Sequence, residues 1–163
     1  MAKNVKDEKT NVMRVLEQKG IPYTAHAYAH EEGVAVDGVT VANMLGQDPE
    51  QVFKTLVARG ASKGIYVFVI PVAESLDLKK AAKAVGEKSI EMVAVKEINA
   101  LTGYIRGGCS PIGMKKQYPT VFHETAEIID SIMVSAGKIG AQVELAPAAL
   151  MEVVEGTMAD IVV

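Results

Sequence analysis

The sequence VFKTLVARGASKGIYVFVIP, residues 52–71, contains two apolar runs separated by the four residues ASKG. Both runs, VFKTLVARG at 52–60 and IYVFVIP at 65–71, are rich in β-branched and aromatic residues, which favour strands. We therefore predict two strands joined by a tight turn. Because IYVFVIP is apolar at successive positions, both of its faces should be covered, as in a central strand of a sheet.

The segments outside this strand pair mix helices and strands without a regular strand–helix–strand repeat. Further strands are predicted at 24–30, 89–93, 120–122, 131–134 and 142–145. Helices are predicted up to Lys19, at 40–45, from Asp48 onward, at 78–85, as a turn at 98–101, and at 148–155. The expected fold is α+β, with a twisted, partly closed mixed β-sheet flanked by helices in one domain, residues 1–163.

Composition and charge restrict the classes of function. The first ten residues, MAKNVKDEKT, lack the apolar core of a signal peptide, and no run approaches the roughly 18 apolar residues of a membrane span. The lone cysteine, Cys109, excludes an internal disulfide and suits a reducing compartment, so we expect a cytoplasmic protein. The net charge is −3, whereas a protein that grips nucleic acid unaided is usually basic. Any nucleic acid should therefore be held weakly or through one local patch.

Lys54 interrupts the first apolar strand. Its neighbours on both predicted faces, including Phe53 and Leu56, are apolar. The ammonium would then lie on a wall that faces either the core or a cleft. The alternative is an edge-strand lysine whose charge reaches out to water, and strands commonly carry such residues.

Residues 24–30, TAHAYAH, alternate alanine with His26, Tyr28 and His30. On a strand the alanines form one small face against which a helix could pack closely. The two histidines would lie about 13 Å apart, at roughly 3.3 Å per residue, which is too far to share a metal ion. We expect neither a metal nor a cofactor. Tyr28 is either the wall of a pocket or a half-exposed strand tyrosine.

The loop GYIRGGCSPIG, residues 103–113, contains the paired glycines Gly107 and Gly108. Paired glycines let backbone N–H groups approach a ligand closely and can form an oxyanion hole, although they also make plain turns. The loop matches neither a Walker A motif nor G-x-G-x-x-G. Cys109 follows the pair, but a catalytic thiol needs an activating base, and we interpret Cys109 as a small buried hydrophobe.

Ser135 and Gly137 follow an apolar strand. At a strand end they can present a hydroxyl and a free N–H to a ligand, or they can form a turn. A separate hypothesis concerns Lys79, Lys80, Lys83, Lys115 and Lys116, which could form a modest phosphate-binding patch, although such runs are usually solvated faces.

The order of six motifs along the chain is more specific than any one of them. The motifs are HAYAH (26–30), DPEQVFKTLV (48–57), PVAESLDLKKAAKAVG (71–86), TGYIRGGCSPIGMKK (102–116), VSAGKIG (134–140) and MADI (158–161). In this order the chain resembles the YbaK/EbsC family of aminoacyl-tRNA deacylases, which is related to the editing domain of bacterial prolyl-tRNA synthetases. The resemblance runs from about residue 12 to residue 161, and the branch it fits best removes cysteine from tRNA for proline.

The resemblance implies roles for individual residues. Lys54 would be the pocket lysine that activity requires, and Tyr28 would line the pocket. Gly107 and Gly108 would offer N–H groups to the substrate, and Ser135 would contact its end. Asp37 departs from relatives that carry an aromatic residue there, which bears on the shape of the pocket mouth and on amino-acid preference.

The resemblance also implies a mechanism in which the thiol of the mischarged cysteine attacks its own ester. Two alternatives stay open: a deacylase for another small amino acid such as alanine or serine, and a non-catalytic regulatory protein on the same fold. Because the chain is acidic, we expect a partner such as prolyl-tRNA synthetase to hold the tRNA, whose acceptor end this chain would bind.

Overall fold

The computed structural model describes residues 9–163. The five helices found there are α1 (Asn11–Gln18), α2 (Gly38–Leu45), α3 (Leu78–Val85), α4 (Val95–Thr102) and α5 (Pro147–Val154). The eight strands are β1 (Thr24–Ala27), β2 (Phe53–Gly60), β3 (Ile65–Pro71), β4 (Ile90–Met92), β5 (Thr120–His123), β6 (Ile132–Ser135), β7 (Ala141–Leu145) and β8 (Thr157–Ala159). The segment MAKNVKDE, which we interpret as lacking a signal peptide, lies outside the described residues.

The strands form two sheets that meet at one bridge. The larger sheet has the order β4-β2-β3-β5-β8; its β3–β5 and β5–β8 pairs are parallel and its other pairs antiparallel. The smaller sheet, β1-β7-β6, is antiparallel. Val52 bridges Met133, whose N–H donates to the Gln51 carbonyl at 2.9 Å. The predicted α+β class and mixed pairing are confirmed, and the strands divide between two sheets.

Strand β3 is covered on both faces, as its unbroken apolar run predicts. Val67 and Val69 pack into one core together with Leu16 of α1. Phe68 and Ile70 pack on the other side into a second core, together with residues of α3. The larger sheet is therefore an inner layer, and its first strands hold the backbone around Lys54 in a fixed register.

Local capping explains where two of the helices begin and end. The Asp37 carboxylate accepts the Thr40 N–H at the start of α2, and Asp77 accepts two N–H groups at the start of α3. Gly46 and Gly86 end these helices in the left-handed conformation that glycine adopts without steric cost. The predicted ends of both helices are confirmed.

Several predicted elements differ from the structure. The strand predicted at 24–30 ends at Ala27, and its alanines are exposed, so the expected close helix packing is wrong. No helix starts at Asp48; its carboxylate accepts the Glu50 N–H at 2.9 Å in a turn. Only three residues lie between Asp48 and the bridge at Val52, and this segment is too short to form a helix. Strand β8 and a short 3-10 helix at Glu124–Glu127 were not predicted.

None of the helices within residues 9–163 is long and apolar enough to cross a membrane.

Candidate functional site

A cavity of about 620 Å³ lies where the two sheets approach each other. Its walls come from residues 52–56 at the start of β2, from facing residues of β6 and β7, from the start of α2, and from the loops around residues 36 and 107. Four of the six predicted site residues line it: Tyr28, Lys54, Gly107 and Ser135. The structure thus brings together side chains that are more than a hundred residues apart in the sequence.

Lys54 lies on an inner strand, between β4 and β3 in the sheet, with its Cα opposite that of Ile70. Strand β4 pairs only with residues 58–60, so the second edge of β2 borders the cavity around Lys54. Burial lowers the pKa of the Lys54 ammonium, and the Glu74 carboxylate partly opposes this. Within residues 9–163 no hydrogen bond or ion pair compensates the ammonium. Lys54 is therefore a partly desolvated cation that faces a cavity.

Neither glycine of the pair leaves room for a side chain. Gly107 has φ +86°, and a Cβ on it would lie 2.6 Å from the Ala35 Cβ. Gly108 packs against the backbone of the segment between β6 and β7, where a Cβ would lie 2.9 Å from the Lys138 Cα. Both positions thus need glycine for close packing, whatever ligand binds.

Only one of the paired glycines is placed to offer its N–H to a ligand. The Gly108 N–H donates to the Ile105 carbonyl at 3.0 Å, and Gly108 is buried outside the cavity lining. The Gly107 N–H has no acceptor among residues 9–163, and Gly107 lines the cavity. Of the two predicted donors, the Gly108 N–H closes a turn on Ile105, so the geometry favours Gly107 as the donor to a ligand.

Ser135 and Gly137 are also divided by the structure. Ser135 lines the cavity, and its Oγ accepts the Gly137 N–H at 3.1 Å. Gly137 lies outside the lining, so its N–H is not the free donor that the sequence suggested. The Ser135 hydroxyl retains its own proton and can still donate it to a ligand.

Sequence reasoning gave no role to three polar residues of the cavity lining: Thr55, Arg106 and Gln142. Gln142 lies opposite Ser135 in the β6–β7 pair, is only 3% exposed, and accepts the Gln47 amide N–H at 2.6 Å. Thr55 lines the same cavity, and its Oγ1 is buried without a partner among residues 9–163. Because buried polar groups usually have partners, the unpaired Thr55 hydroxyl is a candidate for substrate contact. The available signal was a polar residue in each apolar strand.

Cys109 lines the cavity but is not equipped as a nucleophile. Burial raises the pKa of its thiol to about 11, and the Thr102 hydroxyl opposes this only in part. None of the cavity-lining residues is a histidine that could take the proton. The thiol is therefore neutral near pH 7, in agreement with its interpretation as a small hydrophobe.

Asp37 contributes its backbone and its helix cap to the mouth of the cavity. Its carboxylate accepts the Thr40 hydroxyl at 2.6 Å and the Thr40 N–H at 3.1 Å, and these bonds lower the pKa of Asp37. The Asp37 carboxylate is thus engaged in capping α2.

The predicted lysine patch contains one residue with a structural role. The Lys80 ammonium donates to Asp160 Oδ2 and to the Val162 carbonyl, both at 2.9 Å, and so fastens α3 to the segment after β8. The other four patch lysines are exposed, and none of the five lines the cavity. Their contact with RNA remains a prediction.

The chain also matches known proteins in sequence. Residues 33–153 match the family described as the aminoacyl-tRNA editing domain. The chain is 49% identical over 161 residues to a protein of Enterococcus faecalis named as the Cys-tRNA(Pro)/Cys-tRNA(Cys) deacylase EbsC, covering 99% of this chain and 98% of that one.

Solved structures share the fold at lower identity. A crystal structure described as a trans-editing enzyme for prolyl tRNA synthetase superposes with a TM-score of 0.79 at 23% identity, covering 96% of this chain and 99% of that one. The hypothetical protein APE2540 gives a TM-score of 0.82 at 22% identity, covering 93% and 99%. The resemblance to YbaK/EbsC proteins is confirmed, and the chain belongs to the aminoacyl-tRNA editing domain family.

Proposed function

We propose that this chain is a trans-editing deacylase that removes mischarged cysteine from tRNA for proline. Members of its family edit aminoacyl-tRNA, and editing means cleaving the ester between the amino acid and the terminal ribose. The relative that matches nearly the whole chain is named for activity on Cys-tRNA(Pro) and Cys-tRNA(Cys). The observation that carries the proposal is one cavity that contains an uncompensated lysine, a glycine N–H and no activated protein nucleophile.

The absence of a nucleophile–base pair in the lining favours a nucleophile supplied by the substrate. An ester is already activated, and the cysteine thiol has a pKa near 8.5, so a few per cent is thiolate at neutral pH. Its sulfur would form a bond to the ester carbonyl carbon, giving a tetrahedral oxyanion. Collapse breaks the bond to the ribose oxygen, which leaves and takes a proton, and the products are cysteine thiolactone and free tRNA.

The protein would then hold the reacting groups together and stabilise charge. A fixed near-attack geometry is worth several kcal/mol, part of which the strain of the small ring offsets. The Gly107 N–H would donate to the oxyanion, for which one such donor contributes about 3 kcal/mol. Lys54 would bind the terminal ribose or phosphate region. An anion beside that ammonium would also counter the lowering of its pKa by burial.

A panel of mischarged tRNAs tests this proposal. Wild type should deacylate Cys-tRNA(Pro), whereas Ser-tRNA(Pro) and Ala-tRNA(Pro), which lack the thiol, should stay charged even at saturating enzyme. Trapping the released amino acid as a thiolactone would identify the intramolecular route. Efficient cleavage of Ala-tRNA(Pro) would establish a water-dependent deacylase for small amino acids, and binding without turnover would leave a regulatory protein.

We also propose that a partner holds the tRNA, with prolyl-tRNA synthetase the natural candidate. The chain carries 17 basic and 20 acidic residues, and without a strongly basic surface its own affinity for RNA should be low. The reaction would take place in the cytoplasm, where charged tRNA is made. Adding synthetase should speed editing of Cys-tRNA(Pro) more than that of Cys-tRNA(Cys). Equal rates for both tRNAs, with or without synthetase, would contradict the partner.

A further inference from the structure

A second cavity, of about 380 Å³, adjoins the Lys54 cavity at Tyr28. Its walls are residues 27–30 and 138–140, and Tyr28 lines both cavities. We propose that this second cavity is the subsite for the terminal nucleoside of the tRNA, an adenosine, while the Lys54 cavity takes the aminoacyl ester. This inference rests on the proposed deacylase function.

The position of the second cavity fits the covalent structure of the substrate. The amino acid is esterified to the ribose of the terminal adenosine, so the base must lie within one sugar ring of the carbonyl. A volume of about 380 Å³ is at the small end of ligand pockets, which suits one nucleoside and not an oligonucleotide. Because both cavities are lined by Tyr28, they lie side by side, as the aminoacyl group and the base of one terminal nucleoside would.

The lining of the second cavity supplies two aromatic rings against which a base can pack. Exposed bases stack on aromatic side chains, histidine among them. The His30 ring stands 6.3 Å from the Tyr28 ring, edge to face at 63°, so each presents a differently inclined surface.

The backbone around His30 explains why this wall exists. The Tyr28 N–H donates to the Gly140 carbonyl at 3.0 Å, and this bond holds residues 28–30 against the segment between β6 and β7. The His30 ring lies over Gly140 so closely that a Cβ there would be 2.4 Å from His30 Cε1. The exposed alanines of residues 27–29 leave the space open that a larger side chain or a packed helix would fill.

Adenosine 5′-monophosphate tests the subsite without any deacylation. The chain has three histidines, so their ring C–H signals can be followed individually by NMR after assignment with single variants. AMP should shift the His30 signals while those of His26 and His123 stay in place. His30→Ala should weaken AMP binding about tenfold, by loss of one stacking surface. His26→Ala is the matched control, since His26 pairs with Glu144 and lines neither cavity.

Two outcomes would overturn the subsite. One is no shift of the His30 signals by AMP up to roughly 10 mM, which corresponds to no useful affinity. The other is an equal shift with ribose 5-phosphate, which would show that only the phosphate is recognised.

Kinetics separates the subsite from the chemistry. His30→Ala should raise KM for Cys-tRNA(Pro) about tenfold and keep kcat, because the base is bound equally in the ground and transition states. Cleavage of cysteine ethyl ester, which has no nucleoside, should be the same in both proteins. An unchanged KM would refute the subsite. If wild type fails to cleave Cys-tRNA(Pro), the proposed function falls, while the AMP titration still decides the subsite on its own.

Discussion

Replacing Lys54 with methionine should lower activity and raise stability together. In the free protein the ammonium is partly desolvated, and no hydrogen bond or ion pair compensates it within residues 9–163, so it opposes folding. The cost of a fully buried ion is several kcal/mol; since Lys54 is partly exposed, we expect only about 0.5–1 kcal/mol. For a chain of this size that raises Tm by about 1–4 °C.

The loss of activity follows from the same charge. A hydrogen bond to a charged group contributes about 1.5–3 kcal/mol, so Lys54→Met should reduce kcat/KM for Cys-tRNA(Pro) by about 10- to 150-fold. Single-turnover deacylation and thermal unfolding should be measured on the same preparations. Lys88→Met is the matched control, because Lys88 is exposed and lines neither cavity, and both quantities should stay near wild type.

Activity and Tm must be compared in the same variant to separate a role of Lys54 in the site from a role in the fold. A variant with near-normal kcat/KM would refute the assignment of Lys54 to the site. A variant that loses both activity and Tm would show that the lysine supports the fold, although it has no hydrogen-bond or ion-pair partner in the described part of the chain. Only a fall in activity with an equal or higher Tm fits a side chain kept for function at a cost in stability.

Three further predictions concern packing, the lysine patch and pH. Gly107→Ala should lower the free energy of unfolding by about 1–3 kcal/mol more than Gly33→Ala does, as measured by urea denaturation. Both glycines have positive φ, but only at Gly107 would the new methyl group clash with Ala35. Equal losses in the two variants would contradict the packing argument. Lys80→Met should lower Tm while Lys79→Met leaves it unchanged, and the reverse order would refute the anchoring role of Lys80. Ser62 and Tyr66 lower the pKa of Glu87 below its ordinary value, so its carboxylate stabilises the fold above that value and loses this effect as pH falls through the lowered pKa. The stability difference between wild type and Glu87→Gln should therefore shrink from about pH 6 to pH 3, and a difference independent of pH would argue against it.

The sequence by itself determined what depends on near neighbours in the chain. The helix at 78–85, which Asp77 and Gly86 delimit, and the two-sided apolar pattern of β3 each follow from a few adjacent residues, and both were predicted correctly. The lysine in β2 was also identified as unusual from its neighbours alone. The assignment of roles to glycine and serine residues came from resemblance, since their local patterns are equally typical of turns.

The tertiary structure decided which groups face one another. Gln142 enters the site only because β7 pairs with β6 in a register that sets it opposite Ser135, and Gly108 leaves the site because its N–H closes a turn on Ile105. The second cavity forms where residues 27–30, at the end of β1, lie beside residues 138–140, which are more than a hundred residues later in the chain. Strand register and cavities arise from contacts between distant segments, and no local pattern of hydrophobicity or capping carries that information.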